Sequence, residues 1–448
     1  MSTRQTSTKK TTAAKSPAKK PASKKQPSTV AKGDAKTITV RMYNVGFGDS
    51  FLMLIPNSAK PKQPLKILID CGVHNAGTNP DFAINDVAQQ IVKDVTEADG
   101  VPRIDLVIVT HRHQDHVSGF ADSTIWDKVE VKEVWMPWTE DYTDPEARKI
   151  LETQSKIAKH LAAALTAQLT VAASPAAARA TRALKELAEN SLTNAEAMNT
   201  IHRGFAGKPR RRYLPYKTRN KNSFNPEVLP GVTVHLMGPS RDPEVIRDMN
   251  PPKGQSYLRL ADAAADGGEV PHSPFHASWR LAVAESASGE QSLSARDLKA
   301  IETIGDGDSF AVAVALDKAV NGTSLMIMFE VGHAHLFFPG DAQWGTWKLA
   351  MNDPEWRELM AKTSFYKIGH HGSHNATPIN FVEQILGSTF SAMASVRPVK
   401  AWRFIPKKEL MEHLREKCPT VVRSDQADVK DPAGFTRTPE YVETKIPI

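Results

Sequence analysis

An α+β fold, with two β-sheets packed on each other and helices outside, is what this sequence predicts. Three observations lead there. The apolar strands are many and short, helical stretches recur in both halves of the chain, and the chemically able polar residues follow directly after strands. One doubly wound parallel sheet accounts for this pattern less well. The 448 residues allow one large domain or two ordinary ones, and the 40% apolar content is enough for a substantial core.

The folded body starts near Thr37, where Ile38, Val40 and Met42 alternate with polar residues before the turn Asn44–Ser50. Strands are predicted over Phe51–Ile55 and Leu65–Ile69, the second ending at Asp70-Cys71-Gly72, and a helix over Ile84–Val95. Ile104–Val109 is a compact apolar strand running straight into a histidine cluster, and Val131–Met136 is another strand. Residues 143–206 are Ala-rich, with Leu and Lys at helical spacing and a break at Ser174-Pro175. They read as an inserted set of two or three helices able to cap an active-site mouth. Lys208–Asn222 is locally basic, with Arg210, Arg211, Arg212 and Lys217 as candidate phosphate-binding residues.

Gly231–Met237 returns to strand pattern, and residues 240–306 read as an irregular polar insertion. Leu325–Glu330 and Ala334–Phe338 predict a hairpin turning near Gly332. Helices follow over Trp344–Leu349 and Pro354–Ala361, then a strand over Phe365–Ile368 that leads into Gly369-His370-His371-Gly372. Ile379–Ile385, Ser391–Ser395, Lys407–Lys417 and Thr420–Val422 continue the helix–strand alternation.

The net charge of +7 is unevenly placed: residues 1–36 carry ten Lys or Arg and one Asp, a net of +9, which leaves −2 for the remainder. A basic pI therefore reflects the tail and not a basic face on the body. That tail, with its SPAKK and PASKK pieces, has no apolar period to bury and reads as disordered. It suits either low-specificity contact with nucleic acid or another polyanion, or simple solubilisation. Two cysteines, Cys71 and Cys418, make no disulfide framework, and neither a spanning helix nor a secretory signal is apparent. A cytoplasmic location is expected; the oligomeric state is not legible.

The densest chemistry lies at His111, His113, Asp115 and His116, six positions directly after a buried strand. In an extended segment residues 111, 113 and 115 share a side, so His116 projects elsewhere unless the chain turns at Val117-Ser118-Gly119. Two directions of projection suit two neighbouring divalent cations. Imidazole and carboxylate donors suit zinc, manganese or iron without choosing among them. Asp341, after Phe337-Phe338-Pro339-Gly340, has the chemistry to bridge two cations, and His370 stands in the same strand-to-glycine context.

These residues resemble the metallo-β-lactamase superfamily of hydrolases. HRHQDH (His111–His116) is similar to its HxHxDH pattern, ILIDCG (Ile67–Gly72) to its first aspartate motif, and FFPGDA (Phe337–Ala342) to its bridging-aspartate motif. NVGFGDS (Asn44–Ser50) and KIGHHGSHNATP (Lys367–Pro378) narrow the resemblance to the branch that includes the hydrolase-like domain of bacterial DNA-uptake proteins, with Phe47 where glutamine is common. The resemblance implies a four-layer αββα sandwich over residues 37–448. It also implies His111 and His113 on a first metal, Asp115 and His116 on a second, and Asp341 between them. His370, preferred over His371, would complete the second site, and Asp70 would orient a ligand through hydrogen bonds. Asp49, Ser373 and Asn375 are further candidates for metal or substrate. A third histidine for the first metal has no motif here; His202, His235, His272, His276, His333 and His335 are candidates by position alone.

The expected chemistry is attack by a metal-activated water, with Asp115 orienting it or managing its proton. A phosphodiester, in nucleic acid or a nucleotide, is the leading substrate. A lactone, thioester or amide is the alternative, and a nucleic-acid-associated scaffold with a structural or degenerate metal site is the third reading.

Overall fold

The computed structural model describes residues 37–170, 175–190, 194–217, 222–252, 254–257, 316–373, 375–399 and 404–448. The basic tail 1–36, most of the insertion 240–306, and Arg219 and Lys221 lie outside the described residues.

Two mixed sheets form the body. The first has eight strands in the order β14-β15-β1-β2-β3-β4-β5-β6. They are β1 Thr37–Tyr43, β2 Phe51–Ile55, β3 Leu65–Ile69, β4 Arg103–Ile108, β5 Glu130–Pro137, β6 Arg210–Leu214, β14 Phe435–Arg437 and β15 Tyr441–Pro447. The second has seven, in the order β13-β12-β11-β10-β9-β8-β7: β7 Ser223–Phe224, β8 Thr233–Gly238, β9 Met326–Val331, β10 Ala334–Phe338, β11 Phe365–Lys367, β12 Ser391–Ala394 and β13 Val421–Arg423. Strands β3 to β6 run parallel to one another, as do β10 to β13.

Period-2 alternation decides which way each side chain faces. Val40, Met53, Ile67 and Leu106 of the first sheet meet Leu236, Phe329, Leu336 and Phe365 of the second in one shared core. The alternate residues Leu52, Leu68, Val107 and Val134 turn outward against α1 (Ile84–Val95), α3 (Ser123–Trp126) and α6 (Ala195–Arg203). On the other sheet Met328, Phe337, Tyr366 and Ala392 pack on α8 (Trp344–Asn352), α9 (Pro354–Ala361) and α10 (Lys408–Lys417). Buried on both faces, the central strands read as near-continuous apolar runs. Helix starts follow local rules: Asp353 accepts from the Trp356 amide with Pro354 in the first turn of α9.

Helices α4 (Pro145–Thr170), α5 (Pro175–Glu189) and α6 fall within the predicted helical segment. Pro243–Arg247, inside the segment read as irregular, is a short helix, α7.

Two parts of the chain differ from the sequence reading. The basic run read as a phosphate-gathering segment contains β6, the edge strand paired with β5. There Arg211 donates to the carbonyls of Ile201, Pro209 and Gly204, and Arg212 pairs with Glu133 at 2.7 Å. Both guanidiniums serve the fold. Arg210 is exposed, and Lys217 stands 3.8 Å from Glu146. The carboxyl end of the chain, given no element above, supplies β14 and β15, and β15 pairs antiparallel with β1 along its full length. Val442, Thr444 and Ile446 alternate inward, which is the period-2 signal.

Because Ile446 is 3% exposed between the sheets, Ile446→Ala is expected to cost about 2–5 kcal/mol, read as a lower urea midpoint.

Candidate metal centre

The candidate residues converge where the parallel strands of both sheets end, the crevice that open α/β sheets offer to ligands. Asp70 follows β3, the segment 109–116 follows β4, Asp341 follows β10, and Ile368 to His371 follow β11. Instead of continuing extended, the chain turns into α2, Gln114–Val117, so Asp115 and His116 leave the loop from a helical start. Glycine makes this possible: a Cβ on Gly72 would lie 2.5 Å from the His116 nitrogen. Arg112, between two of the histidines, turns away to grip Glu140 at 3.0 and 2.9 Å.

Asp70 braces the cluster. Its Oδ1 accepts from the Thr110 amide at 2.8 Å, and its Oδ2 accepts from the Thr110 hydroxyl at 2.6 Å and from His116 Nδ1 at 2.8 Å. A carboxylate only accepts, so His116 carries a proton on Nδ1, and its Nε2 faces Asp341 Oδ2, 3.2 Å away. His371 repeats the pattern. Its Nδ1 donates to the Ser395 carbonyl at 2.8 Å, and Nε2 faces Asp115 Oδ2 at 3.0 Å. His111 Nε2 and His113 Nδ1 face each other at 3.1 Å. Asp115 Oδ1 is buried without a hydrogen-bond partner.

Acceptor facing acceptor out of reach of solvent requires something positive between them, a proton or a cation. Without metal, protons take the place. Burial disfavours charge on His116, yet Asp341, Asp115 and Asp70 outweigh it and raise the ring well above the ordinary imidazole range. Burial is likewise outweighed at His371, chiefly by Asp49 and Asp115, which raise it. The carboxyls of Asp115 and Asp341 resist burial and are held well below the usual range, both by His116 foremost. Burial pushes His113 down to about 4 and His111 well below its ordinary value. The residues present fit divalent cations: hard carboxylate and borderline imidazole donors, pre-oriented, with Asp115 Oδ1 lacking a hydrogen-bond partner.

The donor atoms of Asp115, His116, Asp341 and His371 all lie within 4.8 Å of one another. The histidine in that group is His371, where the resemblance preferred His370. His370 stands beside it, Nε2 3.8 Å from Asp341 Oδ2. Ser373 and Asn375 sit behind His370, joined by a 2.6 Å hydrogen bond. Asp49 approaches from the glycine-rich turn to within 3.7 Å of His116 and pairs with Lys367. Asp70, His370 and His371 adopt positive φ of 56, 44 and 52°, each costing on the order of 1–3 kcal/mol and tolerated because the surroundings dictate it.

Four participants escaped the sequence reading. Lys367 is buried between Asp49 and Asp341, 3.6 Å from the latter's Oδ1, and those carboxylates hold it charged despite burial. Asp317, in the helical residues 316–321, stands with Oδ1 3.7 Å from His113 Nε2. Burial, with Asp115 and Asp341 nearby, pushes its carboxyl up to about 7. Asn190, just after α5, accepts from the Gln114 amide at 2.9 Å and donates to Asp317. Asn194 donates to the Arg112 carbonyl at 2.6 Å. Lys367 lies in the KIGHHGS motif, so its place at the end of a strand was an available signal; Asp317 and the asparagines carry none in sequence.

Scanned against protein-family models the chain has no match, and a search of curated proteins finds none.

Two outcomes follow. The neighbouring carboxylates favour protons on His116 and His371 that a cation must displace, so metal uptake is expected to release protons and tighten as pH rises. Calorimetry in buffers of different ionisation enthalpy checks this; a proton count of zero contradicts it. Asp317→Asn is expected to weaken cation binding at the His111/His113 pair by about 10–100-fold, measured by chelator competition.

Proposed function

We propose that the chain is a metal-dependent hydrolase with the αββα sandwich of the metallo-β-lactamase type, acting on a phosphodiester. The observation that carries the reading is the facing of buried imidazole Nε2 atoms and carboxylate oxygens at His116/Asp341 and His371/Asp115. Asp115, His116, His371 and Asp341 would hold one cation, and His111, His113 and Asp341 its neighbour. When bound, such cations supply Lewis acidity that turns water into a nucleophile near neutral pH and offsets charge developing on the substrate.

The chain's own groups do the rest. Asp70 fixes the His116 ring and its tautomer through a 2.8 Å bond, and Thr110 holds Asp70. Ser395 does the same for His371. Asp115 Oδ1, buried without a hydrogen-bond partner, would orient the attacking water or accept its proton. Lys367 offsets part of the negative charge of Asp49 and Asp341, so the carboxylates need not all be balanced by ligands.

One observation favours a carbonyl substrate instead. Arg211 and Arg212 are committed to the fold, which removes two of the phosphate contacts expected beside the mouth. A lactone, thioester or amide then remains the second reading.

The experiment is metal counting after loading with zinc or manganese, paired with turnover on DNA, RNA, cyclic dinucleotides, lactones and thioesters. Two divalent ions per chain and phosphodiester turnover are expected. Asp341→Asn should lose the ions and at least about a hundredfold in rate. Turnover confined to lactones or thioesters selects the second reading. Metal uptake with no turnover anywhere makes the centre structural.

A further inference from the structure

Two adjacent histidines, His370 and His371, follow one strand, and both adopt left-handed backbone. Two such residues in succession are costly, and they bring both rings to the same carboxylate pair from different sides. His371 is fully buried against Asp115, whereas His370 keeps 18% of its side chain exposed at the rim.

A polarised chain of hydrogen bonds fixes the His370 ring. Gln343 Nε2 donates to the Asp341 carbonyl, so its Oε1 is the end that accepts from Asn375 Nδ2 at 3.0 Å. The other end of the Asn375 amide, Oδ1, then accepts from the Ser373 hydroxyl at 2.6 Å. Having spent its proton, the Ser373 oxygen accepts from His370 Nδ1 at 3.0 Å. The ring is left with a bare Nε2, 3.8 Å from Asp341 Oδ2. His111 Nε2 lies 4.0 Å from that same oxygen. His370 is also close enough to His113 that charge on one disfavours charge on the other.

Of the other histidines named as candidates for a third ligand, His333 is exposed at the turn between β9 and β10, and three have partners elsewhere. His202 meets the Tyr213 hydroxyl at 3.2 Å, His235 bridges Ser223 and Glu330, and His335 Nδ1 donates to the His333 carbonyl. His272 and His276 lie outside the described residues.

We propose that the tandem histidines divide between the two cations: His371 serves the one held by Asp115 and His116, and His370 supplies the third imidazole to the one held by His111 and His113. Asp341 Oδ2, 3.2 Å from His116 Nε2 and within 4.0 Å of His111 Nε2 and His370 Nε2, would serve both. This rests on the metal-centre reading above and adds one ligand to it. Ser373 is then a positioning residue, setting which nitrogen of His370 is free.

The test is zinc stoichiometry and stepwise affinity on the full chain, by metal counting after dialysis and by competition with a chromophoric chelator. The parent should hold two zinc ions. His370→Ala should retain one at parental affinity and weaken the other by at least tenfold. Ser373→Ala, which removes no ligand, should weaken that same step by about 10–100-fold and so carries the test if His370→Ala fails to fold. In a His113→Ala background, adding His370→Ala should cause no further loss. Two ions at parental affinity in His370→Ala, loss of both together, or additive loss with His113→Ala overturns the division while leaving a metal centre in place. A parent chain that binds no zinc overturns the metal-centre reading itself.

Discussion

A buried carboxylate cannot face a buried lone pair unless something positive lies between them, and the centre is organised around that constraint. Asp115 and Asp341 are placed under the free nitrogens of His371 and His116, and each nitrogen is free because the ring's other edge is bound to an acceptor. The strain at Asp70, His370 and His371 and the close loop packing at Gly72 both serve to hold these groups where they would not settle by themselves. Lys367 limits the imbalance by giving Asp49 a fixed cationic partner.

The sheets supply the rigidity. Parallel strands from two sheets end in one crevice, so residues hundreds of positions apart need only short loops to meet. The helical insertion adds to this from outside. Asn190 and Asn194 hold the backbone of Gln114 and Arg112, between the ligands, so α5 and α6 are fastened to the ligand loop. Fastening the peptide backbone leaves the imidazoles free for other partners.

Much of this was legible because it is local. Phe51–Ile55, Leu65–Ile69, Ile84–Val95 and Pro354–Ala361 announce themselves by period and punctuation, and the structure has those bounds. The histidine cluster was legible for the same reason: its members are neighbours in sequence. What was not legible depends on distant pairing. β6 is rich in arginine because an edge strand beside Glu133 can use it, and nothing within Arg210–Leu214 reveals that partner. Asp317 is one carboxylate among many until the fold sets it against His113. The order of preference between His370 and His371 turned on which ring the left-handed turn directs at Asp115, a matter of backbone geometry that residue type does not encode.

The pairing of β1 with β15 bears on how the molecule comes into being. Thr37 lies opposite Pro447, so β1 finds this neighbour only when all the intervening polypeptide has emerged. Until then β1 has β2 on one flank and an open hydrogen-bonding edge on the other, the kind of edge that invites pairing with another nascent chain. Completion of the first sheet thus waits on the synthesis of β15, and that interval is when the growing chain most needs protection from its neighbours.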